Sequence, residues 1–229
     1  MTMLSIVQTA AVRLGLTSPS AVATSYDDQY LQLLALLNEE ASELAARHDW
    51  QVLNREATFT TVATEIQGTL ATICPGLNRI INNTIYNRTM DYPIYGPVSP
   101  QAWQRQQAMA SSNPYSSYRI KGNNLCLYPI PTAGESCYFE YNSKYYATDT
   151  TGATYKTSFT VDSDIALLNE DILTLGLIWR WKANKGLDFS VDYQKYEFRV
   201  INEIGRDGTS PVLDMNGSHE VIPYVRITP

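Results

Sequence analysis

Cysteine, histidine and clustered positive charge are all scarce in this 229-residue chain. Its three cysteines, Cys74, Cys126 and Cys137, include no CxxC pair, and with only His48 and His219 beside them they spell no zinc site. Buried free thiols are the ordinary reading. Cys126 and Cys137 flank a turn, so a disulfide across a hairpin also stays open. No apolar run approaches 18 residues and the amino-terminal stretch holds only Arg13 as a cation, so neither a signal peptide nor a membrane-spanning helix is expected. The chain is expected to mature in the cytoplasm and to have no membrane partner. Lysine and arginine never form a run, and the formal charge of −6 argues against a sequence-reading nucleic-acid binder. An acidic surface past which DNA slides without sticking is still allowed. Gly-rich phosphate loops are missing, and no cofactor or metal is expected.

What is present is enough apolar residue, 44%, to bury a full core without staples. From Met3 to Leu14 apolar residues follow helical spacing, and Gly15 is a reasonable stop. Asp27 to His48 is the clearest helix, with Tyr30, Leu33, Leu34, Leu37, Ala41, Leu44, Ala45 and His48 on one stripe. Leu31 and Leu36 lie off that stripe, which predicts contacts on more than one side. Between Val52 and Thr160 β-branched and aromatic residues rise and turn signals recur. Strands are predicted at Glu56–Val62 and Arg79–Tyr86, a short helix over 101–110 capped by Ser99, and then three strands in meander order, with Gly122-Asn123-Asn124 as a tight turn. Thr148 to Thr157 reads as an exposed loop tip.

Helix returns near Asp164, with Ile165, Leu168, Ile172, Leu175, Trp179 and Ala183 on one face. Gly176 in mid-helix costs about 1 kcal/mol relative to alanine, so a close helix crossing is expected there. A last helix, about Val191 to Arg206, is predicted to turn Tyr193, Tyr196, Val200, Ile201 and Ile204 inward. The remaining 23 residues, Asp207 to Pro229, are broken by Gly208, Pro211, Gly217, Pro223 and Pro229. Yet Val212, Leu213, Met215, Val221, Ile222, Tyr224, Val225 and Ile227 make this tail too apolar for a solvated linker. It reads as an extended arm whose side chains bury against another chain. The fold class is α+β: a helical-bundle body (1–51 and 161–206), a β-rich insertion (52–160) and the arm (207–229).

Enzymatic signals are weak. Glu39, Glu40 and Glu43 read as a solvated helix face, and Asp162, Asp164, Glu170 and Asp171 as charges near a helix amino end. A glycosidase would need two such groups about 5 to 10 Å apart across a cleft. His48-Asp49 has no nucleophile context, and a histidine closing an apolar stripe is ordinarily packed. Sixteen tyrosines could serve a sugar- or protein-binding surface as readily as strand packing. Trp179 and Trp181 cannot share a helix face, so one is expected in the core and the other, with Arg180 and Lys182, nearer an interface.

The run Leu168-Asn-Glu-Asp-Ile-Leu-Thr-Leu-Gly-Leu-Ile-Trp-Arg-Trp-Lys-Ala-Asn-Lys-Gly-Leu-Asp, followed by Asp192-Tyr-Gln-Lys-Tyr-Glu-Phe, resembles head-to-tail adaptor (connector) proteins of short-tailed bacteriophages. Leu125-Cys-Leu-Tyr-Pro-Ile-Pro-Thr-Ala-Gly with Phe139-Glu-Tyr is similar to their β insertion. The resemblance covers about Leu4 to Gly208. The arm, with His219-Glu220 at its centre, matches no motif. The resemblance implies a non-enzymatic structural protein of the virion, made in the host cytoplasm and placed at the head–tail junction. It implies a ring of twelve copies that binds the portal through its arms, receives nozzle and tail-fibre proteins on its other side, and lets DNA pass without sequence-specific binding. Leu31, Leu36, Arg180 and Trp181 are the expected lateral contacts of that ring. The alternative is a carbohydrate-binding or cell-wall-degrading tail component.

Overall fold

The computed structural model describes residues 1–109 and 116–208. Helix α1 (Met3–Arg13) is capped by Thr2, whose hydroxyl oxygen accepts from the Ser5 N–H, and stops where Gly15 takes a left-handed φ of 75°. Helix α2 (Asp28–Arg47) is capped by Asp27, which accepts from the Gln29 N–H at 2.9 Å. The chain then runs through β1 (Asn54–Thr60), β2 (Ile66–Thr69), a single turn α3 (Leu70–Ile73), β3 (Leu77–Ile80), β4 (Tyr86–Asn87) and β5 (Tyr92–Pro93). Helix α4 (Pro100–Ala108) follows, with Ser99 accepting from the Ala102 N–H as expected of its cap. After it come β6 (Ser117–Lys121), β7 (Asn124–Tyr128), β8 (Ser136–Ser143), β9 (Ala147–Thr148), β10 (Tyr155–Lys156) and β11 (Ile165–Ala166). Helices α5 (Glu170–Asn184) and α6 (Ser190–Asp207) close the described chain.

The long strand β8 organises the larger sheet, pairing antiparallel with β1 on one edge and with β3 and then β4 on the other. The stretch expected as one strand at Arg79–Tyr86 is therefore two, separated by a turn in which Asn83 has φ 63°. Strands β6 and β7 form the expected hairpin, with Gly122 and Asn123 both at positive φ, the geometry a two-residue turn requires. The predicted meander does not continue, because β7 pairs next with β2 and β8 belongs to the other sheet. Pro129 and Pro131 between them lack the N–H groups a third ladder would use. All three cysteines are free and buried, and burial pushes the Cys74 thiol up to about 11 and Cys137 up to about 12.

Two apolar clusters share the interior. One joins α1, α2, α5 and α6 through residues such as Ile6, Leu37, Leu44, Ile172, Leu177 and Val200. The other lies between the sheets, around Phe139, Tyr118, Leu127 and Cys137. Tyr146, Ala147 and Phe159 belong to the helical cluster. The chain has thus rejoined the helices soon after β8, although the segment to residue 160 was expected in the insertion. Residues 149–154 form the loop tip expected, exposed from 150 on, and the ends of that stretch are strand, β9 pairing with β10 across the loop and with the later β11.

Helix α5 begins six residues later than the pattern suggested. Asp164 is held in the preceding loop, accepting from the N–H groups of Thr160 at 2.8 Å and Val161 at 3.0 Å and from Lys156 Nζ at 2.6 Å. Asp162 likewise accepts from the N–H groups of Val22 and Ala23, at 3.0 and 2.8 Å. These two carboxylates staple loops; the capping is done by Asn169, which accepts from the Asp171 N–H. Gly176 sits at the close crossing its position implied: a Cβ there would lie 2.3 Å from the carboxyl carbon of Glu40 on α2.

Gly176→Ala is expected to destabilise the protein although alanine gains about 1 kcal/mol of helix propensity. Displacing a buried, ion-paired carboxylate costs more, about 3–5 kcal/mol when the pair breaks; the shift in urea midpoint measures it. Burial alone would raise the Asp164 carboxyl, but Lys156 and the two N–H groups hold it below the ordinary range. Its contribution is present above the unfolded pKa of about 3.9 and is lost as pH falls through the lower folded value. Asp164→Asn should therefore cost about 1.5–3 kcal/mol at neutral pH, with the gap to the parent chain closing in acid.

Candidate interaction surfaces

Helix α5 is the axle of the body, packed by α1, α2 and α6. A helix packed on three sides buries most of its side chains, which bears on the residues expected to make lateral contacts. Leu36 is 6% exposed, Arg180 7% and Trp181 5%, all inside the protomer, whereas Leu31 is 42% exposed. Of the four, only Leu31 stands on the surface. Trp179, which the two-residue spacing set against Trp181, packs in an aromatic group with Phe189, Tyr193 and Tyr196 on the α6 side.

Arg180 is consumed by three carboxylates of α2. Its Nε donates to Glu40 at 2.6 Å, and its two terminal nitrogens donate to Glu39 at 2.7 Å and Glu43 at 2.5 Å. Glu40 is fully buried, which corrects the reading of Glu39, Glu40 and Glu43 as a wholly solvated face. Burial pushes the Glu40 carboxyl up, opposed by the Tyr196 hydroxyl and by Arg180. Burial and the nearby Glu40 in turn push the Tyr196 phenol up. Helices α2, α5 and α6 thus converge on one buried charge. Sequence pattern missed it because Glu40 sits beside two acids that are exposed; the signal that could have found it was Gly176, the gap that admits its side chain.

Helix α6 is held at both ends by polar bonds. Lys182 pairs with Asp192 at 2.5 Å, and Arg47 pairs bidentately with Glu197 at 2.7 and 2.5 Å. Arg199 lies 3.2 Å from Asp171, and Asn169 donates to Glu203 at 2.8 Å. Asp207, expected as the first residue of the arm, is the last of α6 and accepts from the Gln51 N–H at 3.0 Å, with His48 3.4 Å away. His48 also lies edge-on to Trp50 at 5.0 Å, the packed role expected of it. A groove of about 600 Å³ opens here, lined by Trp50, Val52, Leu168, Glu170, Glu203 and Asp207 among others. Its carboxylates are engaged: Glu170 by the Met1 amino group, Asp171, Glu203 and Asp207 as above.

The outer side of α6 differs from the prediction. Tyr196 and Val200 are buried and Ile204 half-buried against the core, but Tyr193 is exposed and Ile201 is 61% exposed. Beside Ile201 stand Val191 and Phe198, the latter 71% exposed. The inward stripe is narrower than the sequence implied because α6 covers α5 alone along most of its length. The arm residues Val212, Leu213, Met215, Val221, Ile222, Tyr224, Val225 and Ile227 lie outside the described residues. Among the described residues no group of His, Cys, Asp and Glu is arranged to hold a metal ion, and no helix is long and apolar enough to cross a membrane.

Residues 1–214 match the family model described as SU10 adaptor protein. Comparison with curated proteins finds no match.

Truncating Arg180 to alanine leaves Glu40 as a buried uncompensated charge and is expected to cost about 3–5 kcal/mol. The double variant Glu40→Gln with Arg180→Met should recover much of that loss, since replacing both members of a buried pair is often close to neutral. Chemical denaturation of the parent, single and double variants reads both effects.

Proposed function

This chain belongs to the SU10 adaptor protein family, and on that premise we propose that it is a ring-forming head-to-tail adaptor with no catalytic role. Copies of the chain, twelve by the resemblance, surround a channel at the head–tail junction of the virion. The arm beyond Gly208 reaches the portal protein, and the opposite side of the ring receives nozzle and tail-fibre proteins. DNA passes through without sequence-specific binding, helped by an acidic lining. The observation that carries the reading is the family match over residues 1–214, nearly the whole chain.

Two features of the molecule support it. The carboxylates that could have offered acid–base chemistry are tied up in static bonds, Glu40 to Arg180, Asp164 to Lys156 and Glu203 to Asn169. Helix α6 is clamped along its length and ends in Asp207, so that the body gives the following arm a fixed point of departure. Many modest arm contacts in one ring act together, because each bound arm raises the effective concentration of the next.

The test is the mass of the full-length protein in solution, alone and with the portal protein, beside a chain truncated after Gly208. The cut belongs there and not after Arg206, since Asp207 is part of the body. Full-length protein is expected to join the portal as a discrete ring-sized complex. The truncated chain should keep its far-UV circular dichroism and fail to attach; normal attachment without residues 209–229 would refute the arm's role.

A further inference from the structure

Two exposed helix faces complement one another in shape and charge, and among the described residues the apolar side chains of both, Phe198 and Ile201 on α6 and Leu31 on α2, stand exposed. On α6 the residues Val191, Lys195, Phe198 and Asn202 recur at intervals of four, three and four and form one outward stripe, with Ile201 on its flank. The exposed charged residues of α6 are Lys195 and Arg206, both cations, its acids being less exposed and tied in the bonds given above. On α2 the exposed stripe is Leu31, Ala35, Glu39 and Ser42, small at Ala35 and Ser42, with Glu43 at its edge. Glu39 and Glu43 have only Arg180 to share, and Glu40 shares it too, which leaves this face with more negative than positive charge. The other cation close by, Lys185, donates to Gln32 at 2.8 Å and lies over the Trp181 ring.

We infer that these faces meet between copies: the α6 stripe of one chain packs against the α2 stripe of the next with the two helices parallel, Phe198 over Ala35 and, eight residues on in each helix, Arg206 facing Glu43. Large side chains on one helix and small ones on the other let the axes approach to the 8–10 Å of ordinary helix packing. The contact joins two different faces, so it is head-to-tail and can propagate around a closed ring, whereas a face meeting its own copy stops at a dimer. The lateral interface then lies on α6 and on the Leu31 side of α2, and the core residues Arg180, Trp181 and Leu36 support it from behind. This inference rests on the ring reading above and adds which surfaces make the ring.

Paired cysteines test it. A chain carrying both Ala35→Cys and Phe198→Cys, assembled with the portal protein and mildly oxidised, is expected to give a ladder of disulfide-linked multimers on non-reducing gels. Each single variant should give none, the native thiols being buried. Phe198→Asp, at an exposed position, is expected to keep the parent's circular dichroism and thermal midpoint while its mass drops from the ring to the single chain. A linked dimer from Phe198→Cys alone would mean that α6 meets α6 and would overturn the assignment. A ring of full mass with no ladder from the double variant would overturn the faces and leave the ring standing. A parent chain that forms no ring at all would overturn both.

Discussion

The contact between Glu40 and Arg180 is the constraint around which the body is arranged. A carboxylate with no solvent exposure is tolerable only where its charge is met, and Arg180 meets it from α5 at 2.6 Å. The helices come close enough for this because Gly176 has no side chain at the crossing. Tyr196 brings α6 to the same point. Helices α2, α5 and α6 thus meet at one polar cluster inside an apolar core, and breaking a buried pair by removing one partner costs more than the pair contributes relative to an apolar replacement.

From that centre the outer parts follow. With α5 packed by α1, α2 and α6, the large exposed apolar side chains of the helices stand on the outer faces of α2 and α6. The polar bonds that fasten α6, from Lys182–Asp192 at its start to Gln51–Asp207 at its finish, keep its apolar outer stripe in a fixed attitude. The β insertion is a second body with its own core, built on β8, and its sheets owe nothing to the buried charge.

Chain pattern alone gave α1, α2, α4 and the β6–β7 hairpin, because the stop at Gly15, the Ser99 cap and the Gly122-Asn123 turn act within a few residues of where they stand; the Thr2 and Asp27 caps came only with the structure. It also gave the close crossing at Gly176, since a glycine in mid-helix has a local cost that only a tertiary neighbour explains. The family was legible too, carried by the packing residues of α5 and α6. The start of α5 was not, because the loop before it is stapled by partners far away in the chain, as with Asp162 and Val22.

What the sequence determined by itself is the set of local elements, the α+β class and the apolar character of the tail, all of which depend on neighbours in the chain. Only the tertiary structure decided which side chains face out. Arg180 and Trp181 were expected near an interface and are buried, while Tyr193 and Ile201 were expected inward and are exposed. The physical reason is that exposure depends on how many helices cover a given face, a property of the packed body that no periodicity within a single helix contains.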